Sequence, residues 1–148
     1  MANYYGFSRS SYFKVKDEEA YSKLFSRLCV DSCCAGLVYD FTRTDENGET
    51  LHGFGCYGSF DAYDVDPKEF TEDSEEHKYF FDQWCDDLSK IITEDSACLI
   101  TEVGYEKLRY LIAYSTLITS HGVESFDLEN IALKRAKDFG IINVQNHY

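Results

Sequence analysis

The sequence predicts an α+β fold, with a mainly antiparallel sheet of five or six strands and three helices in the order β-α-β-β-α-β-β-α. Three observations lead to this prediction. The chain has 148 residues, 44% of them hydrophobic, so residues 1–148 fit a single domain with a substantial core. Segments of helical periodicity alternate with segments of strand periodicity. Short turns join most consecutive strands, which favours antiparallel pairing with the helices packed on one face.

The chain is predicted to begin with a strand and a helix. Residues 11–16 alternate between polar and apolar side chains, as a half-buried strand does. Asp17 is a good N-cap, and Glu18 and Glu19 would lie near the positive end of the following helix. Four apolar residues at helical spacing form the expected buried stripe: Tyr21, Leu24, Phe25 and Leu28.

A hairpin is predicted next. Strands at 35–44 and 49–60 flank Asn47 and Gly48, a pair that tight hairpin turns favour. The second strand contains three glycines: Gly53, Gly55 and Gly58. Because glycine weakens a regular strand, they predict a bulge, a strong twist or a close approach by another part of the chain.

The second half of the chain is predicted to contain two helices and further strands. Residues 74–92 form an amphipathic helix with aromatic side chains on one face and carboxylates on the other. Strands are predicted at 97–103, 108–119 and 123–125. Asp127 caps the last helix, and Gly140 ends it in the left-handed conformation. Its expected inward residues are Leu128, Ile131, Ala132 and Phe139.

Negative charge is concentrated in one part of the chain, the acidic segment (residues 61–95). The whole chain carries 27 acidic and 14 basic residues, a net charge of −13. The acidic segment holds 13 acidic and 3 basic residues, or −10, whereas residues 1–60 and 96–148 carry −2 and −1. Such a field repels nucleic-acid phosphates, so we expect no direct binding to DNA or RNA and a basic protein surface as the partner.

The sequence shows neither a secretion signal nor a membrane-spanning segment. Its first residues lack the basic and apolar regions of a signal, and no apolar run approaches the ~20 residues that a spanning helix needs. We therefore expect a cytoplasmic protein without membrane contact. In a reducing compartment the six cysteines are expected to be free thiols, most of them buried.

Four residues have the side chains of a zinc site: Cys29, Cys33, His52 and Cys56. Cys29 and Cys33 follow the first helix. His52 and Cys56 lie on one face of a strand, because their separation is even. Thiolates and imidazoles are the usual ligands of tetrahedral zinc. Against this hypothesis, the chain has no Cys-x-x-Cys pair, and buried thiols with a surface histidine are the alternative.

Catalytic motifs are missing from the sequence. No nucleophile motif surrounds any cysteine. Asp61, Asp64 and Asp66 lack the glycine and ordered ligand positions of a calcium loop, and their field would oppose a phosphate substrate. Residues 53–58 match G-x-G-x-x-G but lie inside a predicted strand, so they predict packing rather than phosphate binding. We expect a protein that is not an enzyme and needs no cofactor.

Eleven carboxylates carry the charge pattern: Asp61, Asp64, Asp66, Glu69, Glu72, Asp73, Glu75, Glu76, Asp82, Asp86 and Asp87. Their density in a small chain without catalytic motifs resembles the inhibitor proteins of phages and other mobile elements, such as anti-CRISPR and antirestriction proteins. Many of these are compact and acidic, and some occupy the DNA channel of a bacterial nuclease by imitating duplex phosphates.

This resemblance implies a non-enzymatic inhibitor in the cytoplasm of a bacterial host. Its target would be a basic nucleic-acid-targeting defence nuclease, a CRISPR-Cas effector above all, whose DNA binding it would block. All of the eleven carboxylates except Asp87 are the predicted partner-binding residues. Two alternatives stay open: a small zinc protein, and a regulatory interaction domain whose acidic face only aids solubility.

Overall fold

The computed structural model describes residues 5–31, 36–64, 67, 81–107 and 110–141. Within these ranges the chain forms eight strands and three helices. In chain order they are β1 (Tyr5–Ser10), α1 (Glu18–Phe25), β2 (Leu28–Val30), β3 (Tyr39–Thr44), β4 (Thr50–Cys56), β5 (Phe60–Ala62), α2 (Phe81–Ile91), β6 (Cys98–Glu106), β7 (Tyr110–Thr119), β8 (Gly122–Asp127) and α3 (Leu128–Asp138).

The main sheet has six strands in the order β3-β4-β1-β6-β7-β8, and every neighbouring pair is antiparallel. Strands β2 and β5 form a separate antiparallel pair. The predicted α+β class, with a mainly antiparallel sheet and three helices, is confirmed. The predicted order of elements matches only in part, because β2 and β5 were not predicted and the first strand lies at Tyr5–Ser10.

Residues 11–16, predicted as the first strand, form isolated bridges instead of a ladder. Phe13 and His52 exchange both backbone hydrogen bonds, at 2.9 and 2.8 Å, and Val15 bridges to Ile92. The chain here crosses from β6 to the end of α2, so no single strand lies alongside it. The alternating pattern still predicts burial correctly, because Phe13 is completely buried and Val15 packs against the core.

The core lies between the main sheet and a layer that contains α1 and α2. Asp17 caps α1 by accepting a hydrogen bond from the Ala20 N–H at 3.1 Å, as predicted. The α1 stripe is buried at Tyr21 and Leu24. On α2, Trp84 and Leu88 are completely buried. The burial of these side chains fixes both helices on the same face of the sheet.

The predicted hairpin forms at residues 45–48 between β3 and β4. The Asp45 carboxylate accepts hydrogen bonds from the backbone N–H groups of Asn47 and Glu49, at 2.9 and 2.8 Å. Gly48 has a φ of 79°, which favours glycine. The Lys14 ammonium lies 3.0 Å from Asp45 and 2.7 Å from Glu49, so it holds the turn against the preceding crossing segment.

The helix α3 has the predicted ends but not the predicted burial. Asp127 caps it by accepting from the Glu129 N–H at 2.9 Å, and Gly140 follows with a φ of 78°. The prediction that its apolar residues face inward is wrong, because none of its residues is buried. The four residues, Leu128, Ile131, Ala132 and Phe139, are exposed. The helix contacts the sheet at β7 and β8.

Gly55 is the position in β4 where a side chain would not fit. A Cβ atom there would lie 3.2 Å from the Phe41 ring and 3.3 Å from the Ser8 carbonyl oxygen. A Cβ atom at Gly53 would meet the Tyr12 ring at 3.4 Å, an ordinary contact. The predicted close approach is therefore present at Gly55, and the strand ends before Gly58, whose φ is 127°.

We expect Gly55→Ala to lower the free energy of unfolding by about 1–2 kcal/mol, because the ring and the carbonyl must both move. Gly53→Ala is the matched control. It should be neutral or slightly stabilising, because alanine restricts the unfolded chain. Urea unfolding of both variants gives the comparison, and equal effects would contradict the assigned crowding.

Candidate functional site

Two carboxylates of α2 point into solvent. Asp82 and Asp86 are exposed, whereas Trp84 and Cys85 between them are buried. Four residues of helix correspond to a rise of ~6 Å, so the two carboxylates follow each other along one side of α2. Neither forms an ion pair with a basic residue in the described part of the chain. Both are exposed to solvent on this side of α2.

Asp87 differs from its two acidic neighbours because it is already engaged. Its carboxylate lies 3.7 Å from the Arg27 guanidinium and 3.6 Å from the Lys90 ammonium. It also accepts a hydrogen bond from the Gln83 amide at 3.1 Å. Asp87 thus ties α2 to the chain after α1 and adds little free negative charge.

A groove of about 430 Å³ separates α2 from the main sheet beside these carboxylates. Its walls include Phe81, Asp82, Asp86, Glu102 and Tyr114. Glu102 comes from β6 and accepts a hydrogen bond from the Ser59 hydroxyl. Three carboxylates next to two aromatic rings provide the chemistry that binds an arginine or lysine side chain.

The contribution of Glu102 to this groove was missed from the sequence. In β6 the residues Cys98 and Ile100 are buried, so Glu102 lies on the same inward-facing row. The sequence signal that could have predicted this position is a carboxylate on the inward-facing row of an amphipathic strand.

The structure describes four of the ten predicted partner-binding residues. Asp82 and Asp86 lie together on α2. Asp61 is half-buried on β5, opposite Cys29, and loss of solvent raises the pKa of its carboxyl. Asp64 is exposed just after β5, and β5 packs against α2. The other six lie outside the described residues: Asp66, Glu69, Glu72, Asp73, Glu75 and Glu76.

The zinc candidates are only partly brought together. His52 and Cys56 share the inward face of β4, as predicted, and both are buried. The expected alternative, a surface histidine, is therefore wrong. The His52 Nε2 atom lies 2.7 Å from the Glu18 carboxylate, and Cys29 lies on β2. The described ranges contain no group of three or more His, Cys, Asp or Glu residues placed to hold a metal ion, and Cys33 falls outside them.

A pair of polar side chains inside the core was not predicted. The rings of Tyr21 and His52 lie 4.4 Å apart, and both residues are buried. The Tyr21 hydroxyl and the His52 Nδ1 atom have no hydrogen-bond partner among the described residues. Burial raises the pKa of the Tyr21 hydroxyl, which stays neutral.

The described thiols have the properties of structural cysteines. Cys29, Cys85 and Cys98 are free, as expected, and Cys56 is buried. Burial raises the pKa of Cys29 to about 11 and that of Cys85 to about 12, and it raises the pKa of Cys98 well above its usual value. Since the thiolate is the nucleophile, these environments oppose reactivity at neutral pH.

Comparison with protein-family models, curated proteins and solved structures finds no match to this chain. Among the described helices, none combines the length and the apolar character required to cross a membrane.

The thiols should alkylate slowly in the folded protein. At pH 8 a thiol of pKa about 11 is ionised in about one molecule per thousand. Iodoacetamide should therefore label Cys29 far more slowly than in urea, and Cys85 more slowly still, with rates that rise toward pH 10. Mass spectrometry of the peptides measures each rate. Rapid labelling of Cys29 at pH 7 would contradict its assignment as an inert thiol.

Removing the buried Tyr21 hydroxyl should not destabilise the fold. We expect Tyr21→Phe to leave the free energy of unfolding unchanged or to raise it by up to ~1 kcal/mol, because the hydroxyl is buried and has no partner among the described residues. Trp84→Phe is the comparison and should cost about 2 kcal/mol or more, because it removes a buried hydrogen bond and leaves a cavity. A large loss in Tyr21→Phe, measured by thermal unfolding, would mean that the hydroxyl has a partner after all.

Proposed function

We propose that this protein is a non-enzymatic inhibitor that binds the basic, DNA-contacting surface of a bacterial defence nuclease, most specifically a CRISPR-Cas effector. One observation carries the proposal: Asp82 and Asp86 are exposed, have no cationic partner in the described part of the chain and border a groove that also contains Glu102. They lie within a segment of net charge −10. In this proposal the protein acts in the host cytoplasm, without a cofactor and without touching DNA itself.

The charge spacing on α2 favours a particular mode of contact. Duplex DNA presents one charge per ~1.7 Å of axis, whereas one helix face with carboxylates every ~6 Å is much sparser. Imitation of DNA by α2 alone would therefore be incomplete. The remaining carboxylates of the acidic segment would add density, and the groove would hold individual cationic side chains.

A nuclease offers suitable cations for this groove. Proteins that bind DNA contact phosphates with arginine and lysine, and CRISPR effectors hold their duplex in a positive channel. An arginine that enters the groove would meet carboxylates from two elements beside the aromatic side chains of Phe81 and Tyr114. The field of the acidic segment would also steer the encounter and make its rate sensitive to salt.

The proposal predicts that neutralising the α2 carboxylates abolishes binding. Asp82→Asn combined with Asp86→Asn should weaken the complex with the nuclease at least tenfold, because each lost charged contact is worth about 1.5–3 kcal/mol. Glu46→Gln with Asp138→Asn is the control, since it removes the same charge from exposed positions elsewhere and should change affinity little. The target is first identified by pull-down from bacterial lysate at low salt, and affinity is then measured without DNA.

Salt provides an independent readout of the same proposal. The complex should be retained at low salt and released at high salt, and it should exclude DNA from the nuclease. If both double variants lose affinity for the nuclease equally, the effect comes from net charge alone. If the α2 variant binds with unchanged affinity, the contact lies elsewhere on the protein. Retention of partners without a basic surface would reject the inhibitor proposal.

A further inference from the structure

The main sheet has a second face, opposite α1 and α2, that carries exposed apolar side chains. We call it the outer face. Along β6 the residues Leu99, Val103 and Tyr105 are exposed, whereas Cys98 and Ile100, on either side of Leu99, are buried. The strand register continues this alternation, because Phe7 lies opposite Val103, and Tyr5 lies opposite Tyr105. Among the described helices, α3 borders this face at its β7 and β8 end.

The exposed rings of the outer face form one continuous surface. Tyr5 and Tyr105 are stacked, with ring centres 5.6 Å apart. Tyr57 contacts Phe7 at 5.5 Å and Tyr39 at 6.1 Å, in edge-on geometry. The aromatic surface thus extends from β3 across β4 and β1 to β6.

The exposed area is large enough for a stable interface. Nine residues of the outer face are between 40% and 62% exposed: Tyr5, Phe7, Tyr39, Tyr57, Leu99, Val103, Tyr105, Leu111 and Phe126. With roughly 200 Å² for each aromatic residue, they present on the order of 800 Å² of surface. This is what one partner contributes to an interface of standard size, and a monomer rarely exposes such a patch.

The outer face also contains a groove that can accept side chains of a partner. A groove of about 1300 Å³ runs along it, and its walls include Tyr5, Phe7, Val103, Tyr105 and Leu111. The first turn of α3 contributes Leu128 at its side. Side chains of an opposing sheet could enter this groove, as they do between the two layers of a β-sandwich.

Charge on the outer face is distributed unevenly between its two halves. The β3-β4-β1 half carries Arg9 and Arg43, which lie over the rings of Phe41 and Tyr12 at 4.9 and 5.8 Å. Neither arginine forms an ion pair with a described carboxylate. The β8 edge carries Glu124, whose register partner is Leu117 on β7. The face therefore carries two arginines in one half and Glu124 at the opposite edge.

We propose that the outer face binds the outer face of a second copy of this chain. A two-fold axis parallel to the strands, between β1 and β6, places the arginine half of each copy over the Glu124 half of the other. It buries the aromatic surface on both sides and leaves both α1–α2 layers in solvent. Nucleic acid is a poorer occupant, because a chain of net charge −13 repels phosphates.

Sedimentation velocity of the purified protein tests this dimer directly. The wild type should sediment as a particle of twice 17.1 kDa at low micromolar concentration. Val103→Glu places a charge at the centre of the interface and should give a monomer. Ile131→Glu is the matched control, because Ile131 is 50% exposed, close to the 45% of Val103, and does not line the groove. It should remain a dimer, and circular dichroism checks that each variant is folded.

A mixture of two variants tests the axis itself. Because the axis places β1 over β6 of the other copy, Phe7 faces Val103 across the interface. Phe7→Lys alone and Val103→Glu alone should each be monomeric, and the mixture should recover a dimer through one lysine–glutamate pair.

Three outcomes would overturn the dimer. They are a monomeric wild type, a Val103→Glu variant that stays dimeric, and a mixture that does not reassociate. A monomeric wild type that captures another protein through this face would assign the face to a different partner. Since all these measurements use the isolated chain, they succeed or fail independently of nuclease binding.

Discussion

The buried indole of Trp84 connects the parts of the molecule that the candidate site depends on. Its N–H donates to the Leu24 carbonyl oxygen at 2.8 Å, near the end of α1. Its ring meets Phe54 of β4 edge-on at 5.5 Å and stacks with Phe81 at 6.0 Å. A buried indole N–H without a partner would be costly, and this hydrogen bond both satisfies it and ties α2 to α1. The same packing turns Asp82 and Asp86 to the solvent.

Some elements could be predicted from the side chains of a short segment, and others could not. Asp17 and Asp127 were recognisable as caps because a cap acts on backbone groups within three residues of it. The strand β1 was missed because its inward residues include Ser8 and Ser10, which are polar and buried, while Phe7 points outward. In an ordinary core strand the apolar residues face inward and the polar residues face outward, and in β1 this arrangement is reversed.

The candidate site was predictable to the extent that it lies on one helix. The helical period places Asp82 and Asp86 away from Trp84, and this needs no knowledge of the rest of the chain. Glu102 joins them only because β6 packs beside α2, a contact between distant parts of the sequence. The prediction that the apolar residues of α3 are buried was wrong. An amphipathic pattern indicates that one helix face favours burial, but it does not indicate which surface that face packs against.

The position of β1 has a consequence for synthesis of the chain. It is made before the other described strands, yet it lies at the centre of the sheet, where Ser8 pairs with both Cys56 and Glu102. A ribosome adds about 5–20 residues per second, so β1 waits several seconds for β6 to emerge. Until then its unpaired side is an open template for other strands. Folding is thus exposed to misassociation until β6 is released.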